Sequence, residues 1–206
     1  MNLIIDFIVH IDKYINIIIQ KFGILTYAIL FLIIFLETGL LVTPFLPGDS
    51  LLFVVGTFAA LGSLNVVLIF FLLSLAAILG DSFNYFLGSY FGERFFYEKG
   101  WIKIENLNRT KEFFRKYGSK TIVIARFLPV VRTVAPFIAG VGKMDYLRFL
   151  IYNVLGGIAW VALFLFAGFF FGNISFIKEN LSLVIIAIII LSFTPAIVQY
   201  IRHKIK

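Results

Sequence analysis

The chain has 206 residues, of which 61% are hydrophobic and only 14% are charged. Its mean hydropathy of +1.02 is far from that of globular proteins and predicts an integral membrane protein. The formal net charge is +7 and there is no cysteine, which excludes disulfides, thiolate nucleophiles and Cys-ligated metals. We predict one membrane domain over residues 1–206 and no separate soluble domain.

The distribution of apolar residues predicts an all-α membrane protein. An N-terminal interfacial helix is expected over about 2–20, where polar residues interrupt Leu, Ile and Phe at helical spacing. Further stretches are long enough to cross a hydrocarbon core of roughly 30 Å as four transmembrane helices. The predicted transmembrane helices cover about 24–42, 64–91, 147–172 and 181–201.

Two other apolar stretches, at about 43–62 and 121–142, are interrupted by proline and glycine next to a charge. Folded back at the interruption, each stretch gives two arms of about 10 residues that reach roughly half of the core. We therefore predict two re-entrant hairpins, and the alternative is that both stretches are ordinary spans. The residues expected to break the hairpins are Pro47, Gly48, Pro129 and Pro136.

Basic residues predict the orientation in the membrane. The linker at about 93–120 contains eight lysines and arginines, and the C-terminal tail contains three more. Since cytoplasmic loops carry an excess of Lys and Arg, we expect the linker, the tail and both termini to be cytoplasmic. Within the linker, residues 108–117 predict a basic amphipathic helix that lies on anionic lipid, although its charges can equally serve orientation alone.

Arg126 and Arg132 lie in the second predicted hairpin. A permanently charged guanidinium costs roughly 2.5–3.5 kcal/mol at the centre of a bilayer, so two of them indicate a function. Guanidinium groups bind phosphate oxygens in bidentate fashion, which predicts contact with the phosphate of a lipid. The alternative is that the arginines pair with Glu37 or Asp49 and hold the hairpins together.

Glu37 and Asp49 flank the first break. A carboxylic acid in a poorly hydrated place is readily protonated, so both residues are predicted to couple protons or to form ion pairs with the arginines. Asp49 can equally cap a helix that starts at Ser50, since aspartate is common at that position.

Two polar residues in the predicted spans are assigned to packing or to the lining of a cavity. Asp81 borders a face of small residues spaced by four, so packing is its favoured role. Asn153 begins a similar stripe and is expected to line the cavity. The stripes consist of Gly80, Asn84, Gly88 and Gly92, and of Asn153, Gly156, Gly157 and Trp160.

A weak internal repeat connects the two predicted hairpins. Phe45-Leu46-Pro47 and Phe127-Leu128-Pro129 are identical, and each is followed by small apolar residues. If one hairpin opens outward and the other inward, the two halves form an inverted-topology repeat of the kind that builds midplane sites in secondary transporters.

Several segments together resemble the DedA family of membrane proteins, which is related to the VTT-type lipid scramblases. The segments are Glu37 leading into PFLPGD, GDSFNYFLGSYFG (80–92), FFRKYG (113–118), RFLPVVRTVAPFIAG (126–140) and NVLGGIAW (153–160). The resemblance implies a protein of the bacterial plasma membrane that moves lipids between leaflets, notably undecaprenyl (polyprenyl) phosphate. It also implies that Glu37, Asp49, Arg126 and Arg132 are the functional charges.

The expected function is therefore transport of a polyprenyl phosphate, with proton or sodium coupling and no other cofactor, metal or nucleic acid; an oligomer is left open. Two alternatives are a scramblase of phospholipids such as phosphatidylethanolamine and an ion-coupled transporter for envelope homeostasis without a lipid substrate. An enzyme is disfavoured because the two histidines, His10 and His203, lie at opposite ends of the chain and neither HExxH nor GxSxG occurs.

Overall fold

The structure is a computed structural model that describes residues 11–40, 48–98, 118 and 120–204. In this part of the chain every regular element is helical and no strand occurs, so the all-α prediction is confirmed. The helices are α1 (Ile11–Phe22), α2 (Leu25–Gly39), α3 (Gly48–Ala60), α4 (Val66–Glu98), α5 (Lys120–Ala125), α6 (Pro129–Val141), α7 (Tyr146–Phe171), α8 (Ser175–Glu179) and α9 (Leu181–Lys204).

Two of the helices are long and apolar enough to cross a membrane. They are the Val66–Phe91 part of α4 and the whole of α7, each with 26 residues. At 1.5 Å per residue each reaches about 39 Å, more than the hydrocarbon core requires. By contrast, α2 has 15 residues, and α9 is an apolar helix over Leu181–Ser192, as far as its side chains are continuously described. Two predicted spans are confirmed, and the count of four stays a prediction.

The two segments predicted to lie on the membrane surface, the N-terminal helix and the basic linker helix, are described only in part. Helix α1 covers the second half of the predicted interfacial helix, and its Ile11 and Ile15 are buried. Residues 2–10 and the basic helix at 108–117 lie outside the described residues. Helix α4 continues to Glu98, seven residues beyond its predicted end, so the linker begins later than expected.

The second predicted hairpin consists of two helices, α5 and α6, separated by three residues. Leu128 has an extended backbone (φ −116°, ψ 107°) because a following proline disfavours the helical conformation. Pro129 then occupies the first turn of α6, where an amide hydrogen is not needed. The break predicted at Pro129 is confirmed, whereas the prediction of a break at Pro136 is corrected, since α6 continues through that residue to Val141.

The first predicted hairpin is described only from Gly48 onward, where α3 begins. Its first arm and Pro47 lie outside the described residues. The re-entrant course of both hairpins therefore stays a prediction.

The chain forms two compact units, which we call unit A and unit B. Their described residues are 11–33, 48–74 and 160–204 in unit A, and 34–40, 75–98, 118 and 120–159 in unit B. Three helices, α2, α4 and α7, contribute residues to both units. The prediction of a single membrane domain is not decided by this division and stays a prediction.

In unit A, α3 and α7 approach each other at a pair of glycines. A side chain on Gly56 would overlap the backbone of Leu165 and Phe169, and one on Gly168 would overlap the backbone of Phe53. Only glycine allows the two backbones to come this close. Helix α3 also contacts α1 and α9, which accounts for the burial of nearly all its residues.

In unit B, α6 and α4 approach each other in the same way. A side chain on Gly140 would overlap the backbone of Tyr85 and Ser89, and one on Gly88 would overlap the backbone of Phe137. The short helix α6 is therefore fixed against the long helix α4 as α3 is fixed against α7.

The two crossings match residue by residue, which supports the predicted internal repeat. Corresponding residues of the short helices α3 and α6 are 84 positions apart in the sequence, and those of the long helices α7 and α4 are 80 positions apart. The two identical FLP strings are 82 positions apart, so the segment between the FLP string and the glycine contact differs in length between the two repeats. The inverted relation of the repeats stays a prediction. The matching pairs are Phe53 and Phe137, Gly56 and Gly140, Leu165 and Tyr85, Gly168 and Gly88, and Phe169 and Ser89.

Candidate functional site

Arg126, at the end of α5, is the centre of a buried polar cluster in unit B. Its side chain is 3% exposed and forms an ion pair with Asp81 of α4. The same guanidinium nitrogen, Nη2, donates to Oδ1 of Asn153 of α7 at 2.6 Å. A buried cation is tolerated when it is paired and hydrogen-bonded, and here a carboxylate and an amide oxygen share that role.

Asn153 is itself fixed by α4. Its Nδ2 donates to the carbonyl of Ile78 at 2.9 Å and to Oγ of Ser82 at 3.3 Å. These donors leave Oδ1 as the atom that faces Arg126, so the orientation of the amide follows from its partners. Gly156 and Gly157 of α7 lie against the side chain of Arg126, and the absence of side chains there makes room for the guanidinium.

Arg132, in the second turn of α6, forms the other ion pair of unit B. Its Nη2 contacts Oε1 of Glu37 in the last turn of α2. The Arg132 side chain is 7% exposed, and that of Glu37 is fully buried. Pro136 has no amide hydrogen, so it cannot donate the usual helical hydrogen bond to the carbonyl of Arg132.

Asp49, in the first turn of α3, is the charged residue of the polar cluster in unit A. Its Oδ1 accepts a hydrogen bond from the indole Nε1 of Trp160 at 2.8 Å, and its Oδ2 accepts one from Oγ of Ser192 at 2.6 Å. Asp49 is 8% exposed, and Trp160 is fully buried. The carboxylate thus connects α3 with α7 and α9 inside this unit.

The sequence-predicted residues are brought together in part. The predicted pairing of an arginine with Glu37 is found for Arg132. Arg126 is paired with Asp81, whose predicted role was packing or the lining of a cavity, so this ion pair was not predicted. The cost of an acid within an apolar helix applies to Asp81 as it does to Glu37, and this rule alone identifies the residue. The functional roles of all these residues stay predictions.

Three hydrogen-bonding residues at or beside the charged residues were not assigned to the site from the sequence. Trp160 and Asn84 were placed in packing stripes, and Ser192 was not singled out. The asparagine has a detectable signal, because a buried amide in a transmembrane helix needs partners. The tryptophan and the serine have none, since indole and hydroxyl groups are common in apolar helices.

A family model described as the VTT domain matches residues 46–170 of the chain. The chain is 50% identical over 205 residues to Protein DedA of Escherichia coli K12, and the match covers 98% of this chain and 94% of that protein. It is 40% identical over 175 residues to an uncharacterized membrane protein of Mycobacterium tuberculosis, covering 83% and 77% of the two chains. The inner membrane protein YqjA of Escherichia coli is 36% identical over 150 residues, with coverages of 71% and 68%. No solved structure matches the chain significantly.

Proposed function

The chain belongs to the DedA family of VTT-domain membrane proteins, and from this premise we propose that it carries a lipid phosphate between the leaflets of the bacterial plasma membrane. The proposed substrate is undecaprenyl phosphate or a related polyprenyl phosphate. The observation that carries the proposal is the burial of two arginines, Arg126 and Arg132, on either side of one helix break.

The two arginines suit a phosphate for electrostatic reasons. Each is paired with a carboxylate, which balances the charge while no substrate is bound. A phosphate monoester offers several oxygens and at least one negative charge, so it can replace a carboxylate as the partner of a guanidinium. Binding of the phosphate to Arg132 then requires that Glu37 gives up its contact.

Protonation of Glu37 allows the lipid phosphate to replace the carboxylate as the partner of Arg132. When the carboxylate accepts a proton it loses its charge, and its attraction for Arg132 falls to that of a neutral hydrogen bond. The phosphate takes its place, and loss of the proton reverses the exchange. Transport in this cycle is coupled to protons because one proton enters for each phosphate that displaces Glu37.

Asp49 is the second proposed coupling residue, in unit A. Both of its oxygens accept hydrogen bonds, one from Trp160 Nε1 and one from Ser192 Oγ. A proton on one oxygen opposes the bond from Trp160 Nε1, which can only donate, or reverses the bond with Ser192. Protonation therefore rearranges the contacts of α3 with α7 and α9.

The proposed location rests on the composition and the relatives. The described part of the chain includes two helices able to cross a bilayer, and a relative at 36% identity is named an inner membrane protein. The cytoplasmic placement of both termini is proposed from the basic linker and tail.

The experiment uses purified protein in liposomes with labelled undecaprenyl phosphate in one leaflet. We expect exchange between leaflets well above that of protein-free liposomes, and a loss of at least about tenfold with Arg132→Ala, since a misplaced or missing binding group has effects of this size or larger. Arg148→Ala, which removes an exposed arginine of α7, is the matched control and should leave the rate unchanged.

Each other outcome selects a different function. Exchange of phosphatidylethanolamine but not of the polyprenyl phosphate would identify a phospholipid scramblase. Release of inorganic phosphate from the labelled lipid would identify an enzyme. Exchange that is equally fast with Arg132→Ala would overturn the proposed role of the arginine.

A further inference from the structure

Asn84 of α4 is fully buried in unit B and lies between two close helix contacts. One turn before it, Gly80 allows α2 to approach, since a side chain at Gly80 would overlap Thr38. One turn after it, Gly88 allows α6 to approach, as described above. The three residues are spaced by four, so they share one face of α4 and place Asn84 where α2 and α6 are both near.

The amide of Asn84 hydrogen-bonds to the backbone of both neighbouring helices. Its Nδ2 donates to the carbonyl of Thr38 at 3.3 Å and to the carbonyl of Thr133 at 2.6 Å. Thr38 directly follows Glu37, and Thr133 directly follows Arg132. A single nitrogen thus holds the backbone immediately beside each partner of an ion pair.

The orientation of this amide is determined by its surroundings. Two carbonyl oxygens face one end of the side chain, and only the NH2 group can donate to both, because the amide oxygen would be repelled there. Oδ1 is buried and makes no hydrogen bond within the described part of the chain. The side chain therefore leaves an acceptor unused while both of its donors hold the two helices.

We propose that Asn84 is a positioning residue that sets the geometry of the Arg132–Glu37 pair, and through it the affinity for the lipid phosphate. The expected effect on transport rests on the proposed function. The structural part of the proposal, that Asn84 fixes α2 and α6 relative to each other, does not depend on that function. A leucine at this position would fill a similar volume but would remove the hydrogen bond that Asn84 donates to each carbonyl.

The transport test separates positioning from folding. With Asn84→Leu we expect the mole fraction of undecaprenyl phosphate at half-maximal exchange, the KM, to rise at least about tenfold while the maximal rate per folded protein changes little, because Arg132 is displaced. A purely structural role would lower the amount of folded protein, and hence the maximal rate per total protein, while the KM stayed unchanged. That result would overturn the proposal.

Two further variants complete the series. Asn84→Gln keeps both donors on a longer arm and should have a KM between those of the wild type and Asn84→Leu. Ser74→Ala removes another buried polar group from α4, one without a hydrogen-bond partner within the described residues, and should leave the KM unchanged. A KM that is raised equally by Asn84→Gln and Asn84→Leu would contradict a role for the donors.

A distance measurement tests the structural part without transport. The chain has no cysteine, so Leu36→Cys and Val131→Cys introduce unique labelling sites at exposed positions beside Glu37 and Arg132. Electron paramagnetic resonance between spin labels should give a narrow distance distribution, broadened by Asn84→Leu and unchanged by Ser74→Ala. An unchanged distribution with Asn84→Leu overturns the positioning role, whereas broadening in a protein that carries no lipid overturns only the proposed function.

Discussion

In unit A, α3 brings Asp49 to the indole of Trp160, whereas in unit B, α6, which follows the break at Pro129, brings Arg132 to Glu37. Both helices, α3 and α6, are fixed to a long helix through the same pair of glycine contacts. The described partners differ in kind: hydrogen-bond donors without charge surround the acid, and carboxylates pair with the arginines.

The comparison indicates which part of each unit is repeated and which is not. The repeated positions are those where backbones meet, and their requirement is the absence of a side chain. The charged residues fall on positions that do not correspond: with the separation of 84 found for the short helices, Asp49 matches Thr133, and Arg132 matches Gly48. One packing arrangement therefore supports a carboxylate held by uncharged donors in unit A and charge-balanced arginine–carboxylate pairs in unit B.

The largest expected difference between the units is in the stability that is lost when a buried carboxylate is replaced by an amide. Asp81→Asn leaves the buried guanidinium of Arg126 without its carboxylate and should lower the free energy of unfolding by about 3–5 kcal/mol. Asp49→Asn should cost less than about 1 kcal/mol, because the new amide can accept from Trp160 and donate to Ser192, whose hydroxyl can act as an acceptor. Denaturant unfolding in detergent micelles, followed by circular dichroism, measures both values.

Equal losses of stability in the two variants would contradict the comparison, since they would mean that Asp49 also compensates a cation. A double variant sharpens the result for unit B. Arg126→Met combined with Asp81→Leu removes the pair without leaving a charge, and should recover most of the stability lost in Asp81→Asn. It should not recover lipid exchange, because the proposed phosphate ligand is absent.

The sequence predicted the charged residues better than their partners. The break at Pro129 follows from the conformation before proline, and the expectation that a buried arginine pairs with Glu37 or Asp49 follows from the cost of charge in a membrane. Which arginine meets which acid was left open and is seen only in the structure. The bond from Ser192 to Asp49 joins residues 143 positions apart, and a hydroxyl in an apolar helix gives no signal of a partner at that distance.

The internal repeat was detected from the sequence but with a different register. The identical FLP strings suggested a separation of 82, whereas the glycine contacts have a separation of 84. The identical strings mark the sequence just before each short helix, but the contact depends on which residue faces the long helix. That face is set by packing and becomes visible only when both helices are placed.

A smaller effect is expected from the glycine contacts that the units share. Gly168→Ala in unit A and Gly88→Ala in unit B each place a methyl group on the backbone of the opposite helix, and each should cost about 1–3 kcal/mol. Gly142→Ala is the control: its φ of −71° suits alanine, and the added methyl group would lie 3.2 Å from the carbonyl oxygen of Ile138 without overlapping it, so the change should cost less than about 1 kcal/mol. Thermal unfolding of the three variants in one detergent measures the differences. A loss in only one unit would show that the crossings are not equivalent.

The smallest expected losses of stability come from removing, one at a time, the two hydrogen bonds that join α3 to α9 in unit A. Ser192→Ala removes the bond to Asp49 at 2.6 Å and should cost about 1 kcal/mol, a usual value for a polar contact between membrane helices. Ser50→Ala removes a bond to the carbonyl of Ile185 that is 3.5 Å long, at the limit for a hydrogen bond, and should cost less than about 0.5 kcal/mol. Unfolding of both single variants and of the double variant measures the two terms and their sum. If Ser50→Ala cost as much as Ser192→Ala, the contact of α3 with α9 would depend on packing along the helices rather than on the carboxylate, and Asp49 would lose its assigned role in holding α9.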